Sequence, residues 1–193
     1  SNNIYVGWDS REDIAYQVCE HSIRRRTNQN SVNVSPLKQS ELREQKLYWR
    51  EQDKLSSTEF TITRFLVPHL NKFTGWAAFC DCDMVWRSDP SELFSQVDDS
   101  KAVMVVKYDY TPQEGTKMDG QLQMPYPRKN WSSMILWNCE HPKNKALDLE
   151  TVNTASPSFL HRFEWLDDED IGTLDHSWNW LVGWYDVERD GDP

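Results

Sequence analysis

Two uninterrupted apolar runs, Trp76-Ala77-Ala78-Phe79-Cys80 and Ala102-Val103-Met104-Val105-Val106, constrain this fold more than any other feature. A strand with one face in water alternates polar and apolar residues, whereas a strand apolar at every position needs cover on both faces. Helices packed on both sides of a sheet supply that cover. The chain opens on a short β-rich run, Ile4-Tyr5-Val6-Gly7-Trp8, followed by Asp9-Ser10 as an N-cap signal and by Glu12 and Asp13 in a first turn. Ile14, Ala15, Val18, Cys19, Ser22 and Ile23 then recur at helical spacing, and Arg24-Arg25-Arg26 suit the carboxyl end of that helix. Ser57-Thr58 reads as the cap of a second helix with Phe60, Thr63, Phe65 and Leu66 inside, and Asp89-Pro90 opens a short one. Further strands are expected at Val32-Asn33-Val34, broken by Pro36, at Trp131 through Trp137, and at Trp178 through Val182. The stretch from 111 to 129 is long and irregular, as functional loops often are. The alternation predicts an α/β sandwich, its central sheet mainly parallel and flanked by helices, built as one domain over residues 1–193.

Charge narrows the chemistry. Lys and Arg number 21 against 31 Asp and Glu, a net charge of -10. A nucleic-acid binder needs a basic footprint, so that class is excluded. A diphosphate would be repelled unless a cation or a local Arg cluster reverses the field, so phosphate chemistry here should involve a metal. No apolar run approaches the roughly 20 residues of a membrane span, and no leader pattern precedes the first strand. The four cysteines, Cys19, Cys80, Cys82 and Cys139, show no zinc-site spacing. Free thiols in a cytoplasmic protein are the expectation.

In sheets of this class ligands bind beyond the carboxyl ends of the strands. Asp9 and the triplet Asp81-Cys82-Asp83 fall there. In an extended chain residues i and i+2 share a side about 6.5 to 7 Å apart. Asp81 and Asp83 can then serve one Mn²⁺ or Mg²⁺, whose shell substrate phosphate oxygens and water complete. The same alternation turns the sulfurs of Cys80 and Cys82 the other way.

Residues 4–9, 57–65, 77–85 and 131–138 together resemble the GT-A glycosyltransferases, in particular the glycogenin-like and bacterial galactosyltransferase-like members of family 8. The resemblance implies a GT-A, Rossmann-like fold, with a nucleotide-binding part over about 1–110 and a donor-sugar and acceptor part over about 111–193. It implies a metal-dependent hexosyltransferase moving a hexose from a nucleotide diphosphate sugar, UDP-glucose or UDP-galactose, to an acceptor hydroxyl, with retention favoured over inversion. Gly7, Trp8, Asp9 and Arg11 would meet the nucleotide, Arg64 would clamp the donor, and Asp81 with Cys82 would belong to the donor site. Asp81 and Asp83 would hold Mn²⁺ or Mg²⁺. Ser132 and Ser133 would lie close to the sugar, and Glu169 and Asp170 beside the reacting carbon. His176, Trp178 and Trp184 would line the acceptor cleft. The further metal-ligand His of a His-x-x-Gly segment is not found in residues 1–193, which leaves water or the donor phosphates to complete the shell. The expected partners are a nucleotide sugar and a glycan or other hydroxyl acceptor. The alternatives are a sugar nucleotidyltransferase, for which a Gly-rich phosphate loop is missing, a glycoside hydrolase working without metal, and an inactive nucleotide-sugar or glycan binder on the same scaffold.

Overall fold

The computed structural model describes residues 2–28, 31–52, 56–108 and 128–179. A six-stranded sheet forms the centre, with β1 (Asn2–Gly7), β2 (Val32–Leu37), β3 (Trp76–Cys80), β4 (Val103–Val106), β5 (Met134–Asn138) and β6 (Ile171–Leu174) in the order β2-β1-β3-β5-β4-β6. β1 pairs in parallel with β2 and with β3, and β4 with β6, whereas β5 runs antiparallel to both its neighbours, β3 and β4. The sheet is therefore mixed, and the expectation of a mainly parallel one is corrected at its centre. The two apolar runs do become strands buried at nearly every position. A run apolar throughout reads the same in either direction, so its composition carries cover but not polarity.

The first helix, α1 (Asp13–Arg24), begins after Glu12 rather than at Asp9-Ser10, because Asp9 is engaged elsewhere. Its inner face is Tyr16, Cys19, Ser22 and Ile23, while Ile14 and Val18, expected inside, are 79% and 50% exposed. Cys19 Sγ lies 3.9 Å from Cys80 Sγ, which fixes the helix against the end of β3. β2 continues through Pro36, opposite Val6. This is an edge strand, where a residue without an N–H is tolerated. After α2 (Gln39–Glu44), the helix expected from Ser57-Thr58 is instead a turn, a 3₁₀ segment Thr63–Leu66 and the short α3 (Val67–Leu70). Pro68 fits only the first turn of an α-helix, and Thr61-Ile62-Thr63 is a β-branched run that disfavours one.

α4 (Pro90–Phe94) starts at its expected cap, Asp89 accepting from the Ser91 amide at 2.9 Å. β5 begins only after a 3₁₀ turn at Trp131–Ser133, and α5 (Leu149–Thr154) and α6 (Pro157–His161) follow it. Trp137 stacks on Trp165 at 6.3 Å with Phe65 edge-on to Trp137, an aromatic layer on one face of the sheet. The acidic run ends in a 3₁₀ turn, Asp168–Asp170, that leads into β6. The strand expected from Trp178 is at its start a 3₁₀ segment, His176–Asn179, turned by Asp175 through hydrogen bonds from the Ser177 and Trp178 amides. Residues 180–182, Trp184 and the stretch 109–127 lie outside the described residues.

Candidate functional site

One edge of the sheet collects the carboxyl ends of β1, β3, β4 and β6 together with the amino end of β5: Cys80 lies opposite Met134, and Val106 opposite Leu174. β1 is flanked by the strands that follow it on either side, so the chain diverges there and leaves a crevice beyond Gly7 and Cys80. Gly7 is required by packing, since a Cβ would stand 2.5 Å from the Phe60 ring. The Trp8 indole Nε1 donates to Asp13 Oδ1 at 2.9 Å, and Lys38 Nζ sits 4.9 Å from its ring centroid. Asp9 is fully buried. Arg11 grips it with Nε to Oδ1 at 3.0 Å and Nη2 to Oδ2 at 2.9 Å, and the Arg11 and Glu59 amides add two more hydrogen bonds. The Arg11 hydrogen bond leads the causes that hold the Asp9 carboxyl down at about 2, against the opposing effect of burial. Arg11 also donates to the Ser57 carbonyl and is itself exposed. In this arrangement Asp9 spends its oxygens on protein donors and shapes the loop after β1.

Asp81 extends the β3–β5 ladder by one step, its amide donating to the Ser133 carbonyl at 2.9 Å. Its Oδ1 accepts from Arg64 Nη1 at 2.9 Å. Arg64 is buried, and the same Nη1 donates to the Ser132 carbonyl at 2.7 Å while Nε donates to the Phe60 and Thr61 carbonyls. The guanidinium carbon lies 4.8 Å from the Phe79 ring centroid. Burial pushes the Asp81 carboxyl up to about 6, with Arg64 pulling it back and Asp83 adding repulsion. Cys82 is buried, its Sγ donating to Glu12 Oε2 at 3.5 Å; burial and then Glu12 raise the thiol to about 12, so it stays protonated. Asp83 is exposed, in the turn after the strand. The expected alternation thus holds as burial: Cys80 and Cys82 go into the core, Asp81 and Asp83 toward the edge.

A cavity of about 480 Å³ opens beyond Asp83, on the β4–β6 side. Among the described residues it is lined by Asp83, Arg87 and Glu92 from the segment after β3, by Met134, and by Asp175 and Trp178 just after β6, with others between them. Trp86 and Trp178 meet there edge to face at 6.1 Å. The Ser177 side chain and amide lower the Asp175 carboxyl, keeping it ionised. Asp175 is the functional candidate that sequence reasoning missed. Its signal was its place after a strand, and that strand was not recognised.

Ser132 and Ser133 lie at this edge, just before β5. Ser132 Oγ shares a 2.7 Å hydrogen bond with His161 Nδ1, and Ser133 Oγ accepts from Asn179 Nδ2 at 2.6 Å. Glu169 and Asp170 do not reach it. They precede β6, where the Asp170 carbonyl accepts from the Ala102 amide beside Val103, at the opposite edge. Counted by strand spacing and rise, Asp170 lies on the order of 20 Å from Asp81. Its carboxylate is occupied by Lys143 Nζ at 2.6 Å and the Asp167 amide at 2.8 Å as a capping box.

Among the described residues no group of three or more His, Cys, Asp or Glu converges to hold a metal ion. The donor set at the edge is two carboxylates, one fixed through Oδ1 by Arg64 and one exposed. That set fits a hard divalent cation that keeps most of its shell for water and substrate oxygens.

No protein-family model matches the sequence. Protein CDI of Arabidopsis thaliana is 56% identical over 180 residues, covering 93% of this chain and 69% of the relative. In structure, the chain is similar to the glycosyltransferase GlyE of Streptococcus pneumoniae TIGR4, with a TM-score of 0.60 at 11% identity over 95% of this chain. The chain spans about half the length of GlyE, 47% of it. Mouse xyloside xylosyltransferase 1 superposes with a TM-score of 0.56 at 11% identity, covering all of this chain and 93% of that one. The galactosyltransferase LgtC, solved with donor and acceptor sugar analogues, gives 0.53 at 10% identity, covering 99% and 84%. The fold is that of the glycosyltransferases. No helix among the described residues is long and apolar enough to cross a membrane.

Proposed function

From the premise that the chain belongs to the family of Arabidopsis thaliana Protein CDI, with the glycosyltransferase fold, we propose that it transfers a hexose from a UDP-sugar to an acceptor hydroxyl with help from a divalent metal. The observation that carries the proposal is the position of Asp81 and Asp83. They stand at the carboxyl end of β3, at the topological crevice, between the β1 loop and the cavity after β6. Asp81 and Asp83 would hold Mn²⁺ or Mg²⁺, which when bound neutralises the diphosphate and stabilises charge developing on the leaving group. Arg64 keeps Asp81 in place, and its charge adds to the positive field in a chain that is otherwise acidic. The loop shaped by Gly7, Asp9 and Arg11 offers Trp8 and backbone groups to the nucleotide, and Ser132 and Ser133 border the diphosphate and the sugar. Asp175, in place of Glu169 and Asp170, is the carboxylate on the sugar side of the edge. UDP-glucose and UDP-galactose are the proposed donors, and retention at the anomeric carbon follows from the family 8 resemblance.

The test is a UDP-release screen across nucleotide sugars with Mn²⁺, followed by NMR of the product anomer. Release with at least one UDP-sugar, abolished by EDTA and by Asp83→Asn, is expected. Unchanged turnover in Asp83→Asn and Asp81→Asn would sink the proposal. A second reading is favoured by one observation, the hydrogen bond that ties Asp81 to Arg64 where a metal would compete for it. On that reading the chain binds a nucleotide sugar without turning it over, and the outcome is UDP binding with no release.

A further inference from the structure

The cavity after β6 has a charge unlike that of a phosphate site. Its described lining brings three carboxylates, Asp83, Glu92 and Asp175, against one cation, Arg87. A metal bound at Asp81 and Asp83 would offset the first of these, since it is shared with the diphosphate. Glu92 and Asp175 stand apart from that pair, one on α4 and one after β6, and keep their charge in the cavity. Asp175 Oδ1 accepts from the Ser177 amide at 2.9 Å, so the carboxylate is held in orientation at the cavity wall while remaining exposed. Beside it the half-buried Trp178, edge to face with the buried Trp86, borders the cavity with apolar ring surface of the kind a pyranose packs on. Volume points the same way: about 480 Å³ suits a small ligand, in the lower part of the usual pocket range of roughly 300–1,000 Å³. The nucleotide loop lies on the other side of Asp81, at the ends of β1 and β2.

We propose that Glu92 and Asp175 make this cavity an acceptor subsite selective for uncharged or amine-bearing saccharides, and that they exclude acceptors carrying phosphate or carboxylate groups. The inference rests on the proposed transferase reading for the word acceptor, but the selectivity is a property of the cavity alone. Two carboxylates facing one ligand repel an anion and attract an ammonium group, and because they are near solvent the effect is screened by salt.

The experiment measures binding without donor, by ligand-observed NMR on the full chain with methyl glucoside, glucosamine and glucose 1-phosphate as probes, at low and at high ionic strength. Binding in the order glucosamine, methyl glucoside, glucose 1-phosphate is expected at low salt. The spread between the first and the last should be about tenfold or more and should shrink at high salt. In Asp175→Asn and Glu92→Gln the spread should narrow several-fold while methyl glucoside binding persists. Asn keeps the acceptor for the Ser177 amide, so the variant reports charge and not the turn. Glucose 1-phosphate binding as well as methyl glucoside, binding of none of the three, or a spread unmoved by salt and by both substitutions would each overturn the proposal. Donor binding is followed separately with UDP and Mn²⁺. A protein that binds UDP but does not discriminate among the probes refutes this inference alone, and one that discriminates but binds no nucleotide refutes the transferase reading alone.

Discussion

Replacing Arg64 with Met should cost about 3–5 kcal/mol of stability, as expected when one partner of a buried ion pair is removed. The magnitude follows from what the guanidinium touches. It meets Asp81 at 2.9 Å, and with an effective dielectric near 20 the attraction is ~6 kcal/mol before the cost of desolvating Arg64 is subtracted. It also satisfies the Ser132 carbonyl at 2.7 Å and those of Phe60 and Thr61 at longer range, each worth about 1–3 kcal/mol if left unpaired away from water. Met restores most of the volume over Phe79 but none of the charge. The Asp81 carboxyl, already raised to about 6 by burial, should then move higher and be largely protonated near neutral pH. Urea unfolding followed by tryptophan fluorescence gives the free energy, and an Asp81→Asn partner closes a double-mutant cycle. The double variant should be more stable than Arg64→Met alone, because Asn is neutral without the proton that Asp81 must take up to be neutral in the fold. A loss under about 1 kcal/mol for Arg64→Met, or a double variant no better than the single one, would refute the reasoning that the pair is a buried, mutually dependent unit.

Burial, and next the nearby Arg64, depress His161 from 6.5 to about 4, so the unfolded chain binds a proton that the folded one refuses. Stability should be complete above pH 6.5 and fall by up to about 3 kcal/mol as pH drops through that window toward 4, and His161→Gln should flatten that part of the curve. Gly7→Ala places a methyl group 2.5 Å from Phe60 and should cost about 1–3 kcal/mol by urea unfolding, with part of the loss recovered when Phe60→Leu is added. Asp83→Asn should leave stability within about 0.5 kcal/mol while abolishing Mn²⁺ binding measured by calorimetry, since the residue is exposed.

What the sequence disclosed follows from which physical signals are local. Trp76–Cys80 and Val103–Val106 were legible because two-faced burial writes itself as continuous apolarity. α4 was legible because Asp89-Pro90 is a complete start signal. β6 was not, because Ile171-Gly172-Thr173-Leu174 carries a glycine in mid-strand. A Cβ at Gly172 would meet Met104 Cγ at 2.8 Å, so the glycine serves a contact 68 residues away that no window can see. Missing that strand had a direct cost for the site. An acidic run such as Asp168-Glu169-Asp170 looks alike whether it serves chemistry or, as here, caps the entrance to a strand, and Asp175 gains its place only from the strand's exit. Ile14 and Val18 differ in kind: helical periodicity fits more than one stripe, and the packing of Cys19 against Cys80 turns theirs to solvent.

The reversed strand explains why the edge can carry a two-carboxylate site at all. Because β5 is antiparallel, the chain enters it at the same edge where β3 leaves, and the backbone of Ser132 and Ser133 comes up beside Asp81. The Ser133 carbonyl takes the Asp81 amide, and the Ser132 carbonyl takes Arg64, so the guanidinium bridges the two chains just beyond the last paired positions of β3 and β5, one residue past Cys80 and two before Met134. A parallel β5 would bring Asn138 and Cys139 to that place and leave Arg64 without its second partner. The result is an unequal pair of aspartates. Asp81 is locked by the ladder and by Arg64, and Asp83, two residues on in a turn, is exposed and unconstrained by the sheet. On the proposed reading the rigid ligand would define where a cation sits and the free one would close on it, so that an acidic chain would admit a diphosphate only together with its cation.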